Sequence, residues 1–538
     1  MTGGFLSKSP ELCLILSSSA SFAHMDYLEQ PTEYAGYESA SALAASKPMA
    51  RPIWLPVPFV IPVMLCGISW ISGGVPVLTD CGFIALALCC VGVAIMEFWQ
   101  FSRRFGIGGL ILSTGTLVWF CHDYFYNWFD RDFGAGGVDY TQSVIAKAAF
   151  YTTLFTFFAM IGLSLPVWHR ITRFVRRIPE PQSNNVFIIV LVLCLVIGLI
   201  PYLFFSAEGI LTNIYKAMTG MRFSGAEFTA GRTGNYNYSW GGYLAQVEQV
   251  GEIGGIFAMF YVIMTPGFFL RPSKIFALLD WAFWAIIGFG TGSRGAFIAA
   301  FLPVPALLFL KWEVFAALQG RRFNSKAILY PMIAIALAFV VVQIQGAYRT
   351  TGIGSVNLEK LDIWKPRGNT MFSEGLLGYE TFPDTRAFGS DLFPGSTVVM
   401  PIPDVIARWA IGWIPRVLWH DKPGISEIGQ WYDKKISGGT AANTSPYQTN
   451  VSGGTVCPSV CGIAYIYYGM AGVIQIGLLF GWLCKVAERI MWTNAGRVLG
   501  TMFALGTAVY LFRAFRDLTP MDFYPLCIGT FVASILIY

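Results

Sequence analysis

Strongly apolar runs of about twenty residues, with few charges, recur along most of this 538-residue chain. A helix of that length crosses the ~30 Å hydrocarbon layer of a bilayer and satisfies its own backbone hydrogen bonds, so many such runs commit a chain to a bundle of membrane helices. Composition agrees: 55% of residues are hydrophobic and 12% are charged, against about 25% charged in a soluble domain. Mean hydropathy is +0.56. Runs near 52–73, 76–99, 106–121, 144–168, 185–206, 244–270, 275–290, 295–312, 327–345, 459–484, 497–516 and 519–538 predict about twelve transmembrane helices. The expected fold class is an all-α polytopic membrane protein.

The connectors divide the chain further. Residues 1–50 contain no convincing signal peptide, because the apolar stretch in ELCLILSSSASFAHM is too short, and the polar stretch after it is expected to form a disordered cytoplasmic tail. Helices 1–9 then occupy 51–345, a large loop occupies 346–458, and helices 10–12 occupy 459–538. Within the loop, PIPDVIARWAIGWIPRVLWH (401–420) has helical spacing, much Trp, and Asp404 and Arg408 one turn apart. It predicts an amphipathic helix on the membrane surface.

Cytoplasmic loops collect Lys and Arg. With the N-terminus inside, the inside connectors carry Arg103 and Arg104, then His169, Arg170, Arg173, Arg176 and Arg177, then Arg271 and Lys274, then Lys311, Arg321, Arg322 and Lys326, then Lys485, Arg489 and Arg497. Both termini are therefore expected in the cytoplasm, and 207–243 and 346–458 outside. The net charge of +5 is too small for a nucleic-acid partner, whereas membrane lipids are implied throughout. Eleven Cys lie mostly inside apolar runs, without metal-ligand spacing. Cys457 and Cys461 stand near an outer helix end, where a local disulfide competes with the poor bridge geometry of a helical i, i+4 pair.

Between two of the apolar runs lies Thr291-Gly292-Ser293-Arg294-Gly295. A guanidinium at such a turn calls for an anion or a watery cavity, and Ser293 is placed to cap the next helix, whose free N–H groups favour phosphate. Arg294 reads either as an anion site or as an anchor for a helix end. Arg222, Arg232, Arg349, Arg367, Arg386, Arg408, Arg416, Arg513 and Arg516 are the other outer arginines. Arg513 and Arg516 share one helix face and together with Arg294 would suit a diphosphate, although Arg516 could instead pair with Asp517.

Glu248 and Glu252, at i, i+4, lie one to two turns inside the outer end of the sixth predicted helix. Two close carboxylates raise one another's pKa, so the pair reads as a general base or as a salt-bridge partner of Arg294 or Arg513. Nearby Tyr236, Tyr238, Trp240 and Tyr243 interleave with Asn and Gly; they suit a sugar ring or an ordinary aromatic belt. His420 is a candidate acid, base or phosphate donor. His122, Asp123, Asp130 and Asp132 predict a solvated outer turn rather than a divalent-ion site, since no second His supports them. No nucleotide-binding motif appears in a workable context, and no metal or other cofactor is implied.

TGSRGAF opening a membrane helix, a large outer loop with WIPRVLWHDKPG, a returning GIAYIYYGMAGVIQIGLLFG and a final FRAFRDL resemble the bacterial O-antigen and exopolysaccharide repeat-unit polymerases of the Wzy type, which are related to O-antigen ligases. The resemblance runs from about residue 285 to 520. It implies a GT-C-like, metal-independent inverting glycosyltransferase that moves a glycan from undecaprenyl diphosphate onto a second lipid-linked repeat unit at the periplasmic face. It also implies the bacterial inner membrane, undecaprenyl-diphosphate-linked oligosaccharides as partners, and a chain-length regulator. Arg294, Arg416, Arg513 and Arg516 would grip diphosphate or acceptor sugar. Ala464 stands where relatives often carry an acid, so that acid's role does not carry over. A ligase, with His420 in its large loop, and a non-enzymatic transporter of lipid-linked sugars are the alternatives.

Overall fold

The computed structural model describes residues 54–100, 107–128, 133, 140–177, 184–204, 211–212, 241–265, 270–290, 401–412, 459–494 and 498–516, with single positions between them. Every secondary-structure element among the described residues is helical. After a 3₁₀ turn at Val57–Phe59 come α1 (Val60–Ile71), α2 (Pro76–Gln100) and α3 (Ile107–Thr116). A π-helical turn, Leu117–Cys121, joins α3 to α4 (His122–Tyr126). Then follow α5 (Gln142–Ser164), α6 (His169–Arg176), α7 (Asn184–Phe204), α8 (Gly241–Met264) and α9 (Pro272–Gly290). The last three are α10 (Pro401–Gly412), α11 (Ser459–Thr493) and α12 (Val498–Arg513).

Four helices among these residues are long and apolar enough to cross a membrane, within Pro76–Glu97, Gln142–Ser164, Asn185–Phe204 and Tyr468–Met491. The outward faces of α2 and α7 carry Leu88, Ile95, Ile189 and Val196, all exposed. Exposed aliphatic side chains on helices with no charged outer face fit a lipid environment.

Packing falls into two groups. α11 lies along α5, which also packs on α1, while α3 fits against α2, α11 and α12. α8 lies between α7 and α9 and also touches α12, which joins the groups. Glycine allows the closest approach: a Cβ at Gly481 of α11 would lie 1.8 Å from the Ala159 carbonyl oxygen of α5, and one at Gly162 would lie 2.2 Å from the Leu478 carbonyl oxygen. The two backbones meet without intervening side chains. In the second group the Trp284 indole fills the space over Gly251, where a Cβ would sit 2.0 Å from its ring.

Hydrogen bonds fix which helix ends lie together. At one end Glu488 Oε2 accepts the Gly108 backbone N–H at 3.2 Å, satisfying a donor in the first turn of α3, and Glu488 Oε1 pairs with Lys485 at 2.6 Å. The Trp482 indole donates to the Pro166 carbonyl just past α5, and Thr501 of α12 donates to the Asn494 carbonyl. At the other end the Val460 N–H donates to the Phe515 carbonyl at 2.9 Å, closing the start of α11 onto the end of α12.

The structure alters several expectations. His122–Tyr126 continues the preceding helix, Asp123 and Tyr124 are buried, and Tyr124 donates to Asp80 Oδ1 at 2.6 Å. His122–Tyr126 is not a solvated turn, because its aromatic residues supply the inner face that carries Asp123 inward; Asp130 and Asp132 lie outside the described residues. Cys461 is buried with its thiol against the Tyr151 carbonyl, and Cys457, its expected disulfide partner, lies outside the described residues. Residues 169–176, expected as a connector, form α6. α11 runs to Thr493 and kinks at Gly469, whose φ of 61° is open to glycine. Within the predicted loop helix 401–420, Pro401–Gly412 is helical.

Candidate functional site

α8 and α12 position the described candidate residues. α8 has no Lys or Arg and carries two acids, Glu248 and Glu252, at the spacing of one turn. Glu248 is only 5% exposed and Glu252 is half-buried. A carboxylate so enclosed needs donors, and Tyr202 of α7 provides one through its hydroxyl to Glu248 Oε1. Pro201, next to that tyrosine, leaves one carbonyl of α7 without its helical N–H partner near the same level. Sequence reasoning missed Tyr202; a Pro-Tyr pair in the last turn of an otherwise aliphatic helix was the available signal.

The end of α12 is pinned by Phe515, which lies between Arg513 at its last position and Arg516 in the turn beyond. Phe515 is fully buried, with its ring 4.8 Å from Phe480 and 6.0 Å from Phe120, and its carbonyl accepts the Val460 N–H. Arg513 and Arg516 flank this plug, both half-buried, and the Arg516 N–H donates to the Arg513 carbonyl at 3.0 Å. The chain therefore turns tightly and keeps both guanidinium-bearing residues at one helix end. α8 touches α12, so the acid-bearing and arginine-bearing helices are neighbours.

No family model, curated protein or solved structure matches this chain. The chemistry must be read from the residues themselves.

A second cation lies at the end where α11 begins. Lys147 of α5 is buried, with Nζ 5.3 Å from the Tyr465 ring centroid and 5.9 Å from that of Trp70. Aromatic faces make burial of an ammonium tolerable. The Tyr151 ring lies tilted beside that of Tyr465, with centroids 4.6 Å apart. The same end holds Asp80 and Tyr124. Lys147, in a predicted span with no other charge, escaped the sequence analysis although its isolation was the signal.

Arg222, Arg232, Tyr236, Trp240, Ser293, Arg294, Arg416 and His420 lie outside the described residues. The arrangement of α8 and α12 offers a buried acid, a half-buried acid and two arginines on adjoining helices. That set suits an anionic group whose charge grows during a reaction, with a carboxylate to take a proton.

Proposed function

We propose that this chain polymerises lipid-linked oligosaccharide repeat units, transferring a glycan from undecaprenyl diphosphate to an acceptor repeat unit at the periplasmic face of the bacterial inner membrane. The observation that carries this reading is the contact of the Glu248/Glu252 helix with the helix that ends at Arg513 and Arg516. The resemblance of TGSRGAF, WIPRVLWHDKPG and FRAFRDL to Wzy-type polymerases points the same way.

In this mechanism the acceptor hydroxyl oxygen attacks the anomeric carbon of the donor glycan as the bond to the lipid diphosphate breaks. The diphosphate leaves with the electron pair, and the proton passes to a carboxylate, Glu252 or Glu248, or to His420. Attack opposite the leaving group inverts the anomeric centre. Arg513, Arg516, Arg294 and Arg416 stabilise the diphosphate, each guanidinium presenting a planar fork to phosphate oxygens. By their places in the sequence, Ser293 joins Arg294 in an anion-binding pair, Arg222 and Arg232 add positive charge on the outer side, and Tyr236 and Trp240 offer ring faces to sugars. The arginines take the role that a metal would otherwise fill, and no cofactor is required.

Topology follows from charge. The helix end with α6, Lys485 and Arg489 is the cytoplasmic one by the positive-inside rule. The other end, where α12 finishes, then faces the periplasm with the loop 346–458, and about twelve spans place both chain termini in the cytoplasm.

Membranes carrying the protein and a lipid-linked repeat unit test the reading. A ladder of lipid-linked products supports polymerisation. Transfer to lipid A core would identify a ligase, and relocation without a new glycosidic bond would identify a transporter; either overturns the proposal.

A further inference from the structure

α6 joins two long apolar helices and differs from both. Its eight residues, HRITRFVR, contain no acid, and none occurs from Thr141 to Pro179. Ile171 and Val175, one turn apart, point at the bundle, where Val175 is buried and Ile171 packs on the core. Arg170, Arg173 and Arg177 are exposed on the other side. At the boundary between these faces Phe174 is 72% exposed, and Trp168 just before the helix is equally so. An apolar inner face and an arginine face with an exposed aromatic at the margin is the pattern of a helix lying in the headgroup layer.

Its attachment sets its depth. α6 packs against α11, next to the site where the Trp482 indole donates to the Pro166 carbonyl and the Trp168 and Trp482 rings meet edge to face at 6.4 Å. Paired tryptophans mark the membrane–water boundary, where one end of the indole is apolar and the N–H finds an acceptor. The acid nearest in sequence on that stretch of α11, Glu488, already pairs with Lys485 and the Gly108 N–H. Among the described residues, no ion pair engages Arg170, Arg173 or Arg177.

We propose that α6 is a binding surface for anionic phospholipid headgroups, with Arg170, Arg173 and Arg177 engaging phosphate and Phe174 inserted among the upper acyl chains. This goes beyond the polymerase reading and rests only on the chain being embedded in a membrane. Each arginine near a negative leaflet contributes about 1 kcal/mol, roughly fivefold in occupancy, and the guanidinium fork adds bidentate contact with phosphate.

The test uses the full-length protein with Phe174 replaced by p-benzoylphenylalanine, in nanodiscs of phosphatidylcholine mixed with phosphatidylglycerol. Irradiation and mass spectrometry identify the crosslinked lipid. Phosphatidylglycerol adducts should exceed its share of the mixture by about tenfold or more at low salt. That excess should fall as salt is raised on the unmutated surface, and also in the combined Arg170→Gln, Arg173→Gln, Arg177→Gln chain, while the corresponding Lys variant should keep most of it. Adducts in simple proportion to the lipid mixture, crosslinks to protein, or an absence of lipid adducts would each overturn the proposal, as would an excess unaffected by salt.

Discussion

The Tyr202 hydroxyl of α7 donates to the Glu248 carboxylate of α8, across the helix pair that also encloses Gly198 and Gly251. A carboxylate held this way is less available as a base than Glu252, one turn further along α8 and half-buried. Within the proposed reaction, Glu252→Gln is expected to lower the single-turnover rate about 100-fold or more with little change in donor binding. Tyr202→Phe should instead lower stability by about 1–3 kcal/mol by taking a donor from the buried Glu248 carboxylate, while Glu248→Gln, which keeps an oxygen to accept from Tyr202, should change stability and rate less. A larger rate loss in Glu248→Gln than in Glu252→Gln reverses the assignment.

Arg513→Ala is expected to abolish the product ladder while the protein still inserts, because the fork that meets diphosphate is gone. Arg513→Lys should restore only a small part, since a point charge lacks the bidentate contact. Phe515→Ala, which removes the buried plug beside both arginines, should cost about 3–5 kcal/mol and reduce folded protein in detergent. Full ladders from the Arg513→Ala chain would exclude the diphosphate role.

Gly481→Ala and Gly162→Ala are expected to separate α5 from α11. The added methyl would lie 1.8 Å and 2.2 Å from facing carbonyl oxygens, and backbone cannot yield as a flexible side chain can. Thermal unfolding in detergent should show a lower Tm for both, by more than the same change at Gly92, where a Cβ meets nothing within 4 Å. Equal Tm values at all three positions would refute the backbone contact.

Asp280 is 3% exposed, and among the described residues neither carboxylate oxygen has a partner within hydrogen-bonding distance. The Trp284 indole, one turn along α9, faces this carboxyl, but among the described residues its N–H likewise has no partner within hydrogen-bonding distance. Replacing a buried, uncompensated acid by an apolar residue of similar volume is favourable. Asp280→Leu is therefore expected to raise Tm; a marked fall would show that the acid is needed to hold α9 in place.

The proposed topology predicts that a cysteine placed at Ser437 is labelled from outside in intact spheroplasts while one at Ser325 is protected. The opposite pattern would invert the bundle and move the α12 arginines to the cytoplasmic end.

How much of this was legible beforehand varies with the physics involved. The apolar runs announced α2, α5, α7, α9 and α12 within a few residues of their observed bounds, because a chain in lipid must close its backbone hydrogen bonds locally. Spacing likewise put Glu248 with Glu252 on one helix face, since helical periodicity is a local property, whereas Arg516, expected on the helix face of Arg513, lies in the turn beyond α12.

Contacts between distant segments were not legible. Nothing in the sequence says that Tyr202 meets Glu248 across 46 positions, or that Gly108 finds Glu488 across 380. His122–Tyr126 reads as polar, yet Asp123 is buried and Tyr124 stacks on Phe83 with centroids 4.0 Å apart. Local composition determined that this chain forms long apolar helices and where its acids and arginines stand along them. Only the tertiary packing decided which helices became neighbours, because close approach depends on matching a glycine on one helix to a carbonyl or an indole on another.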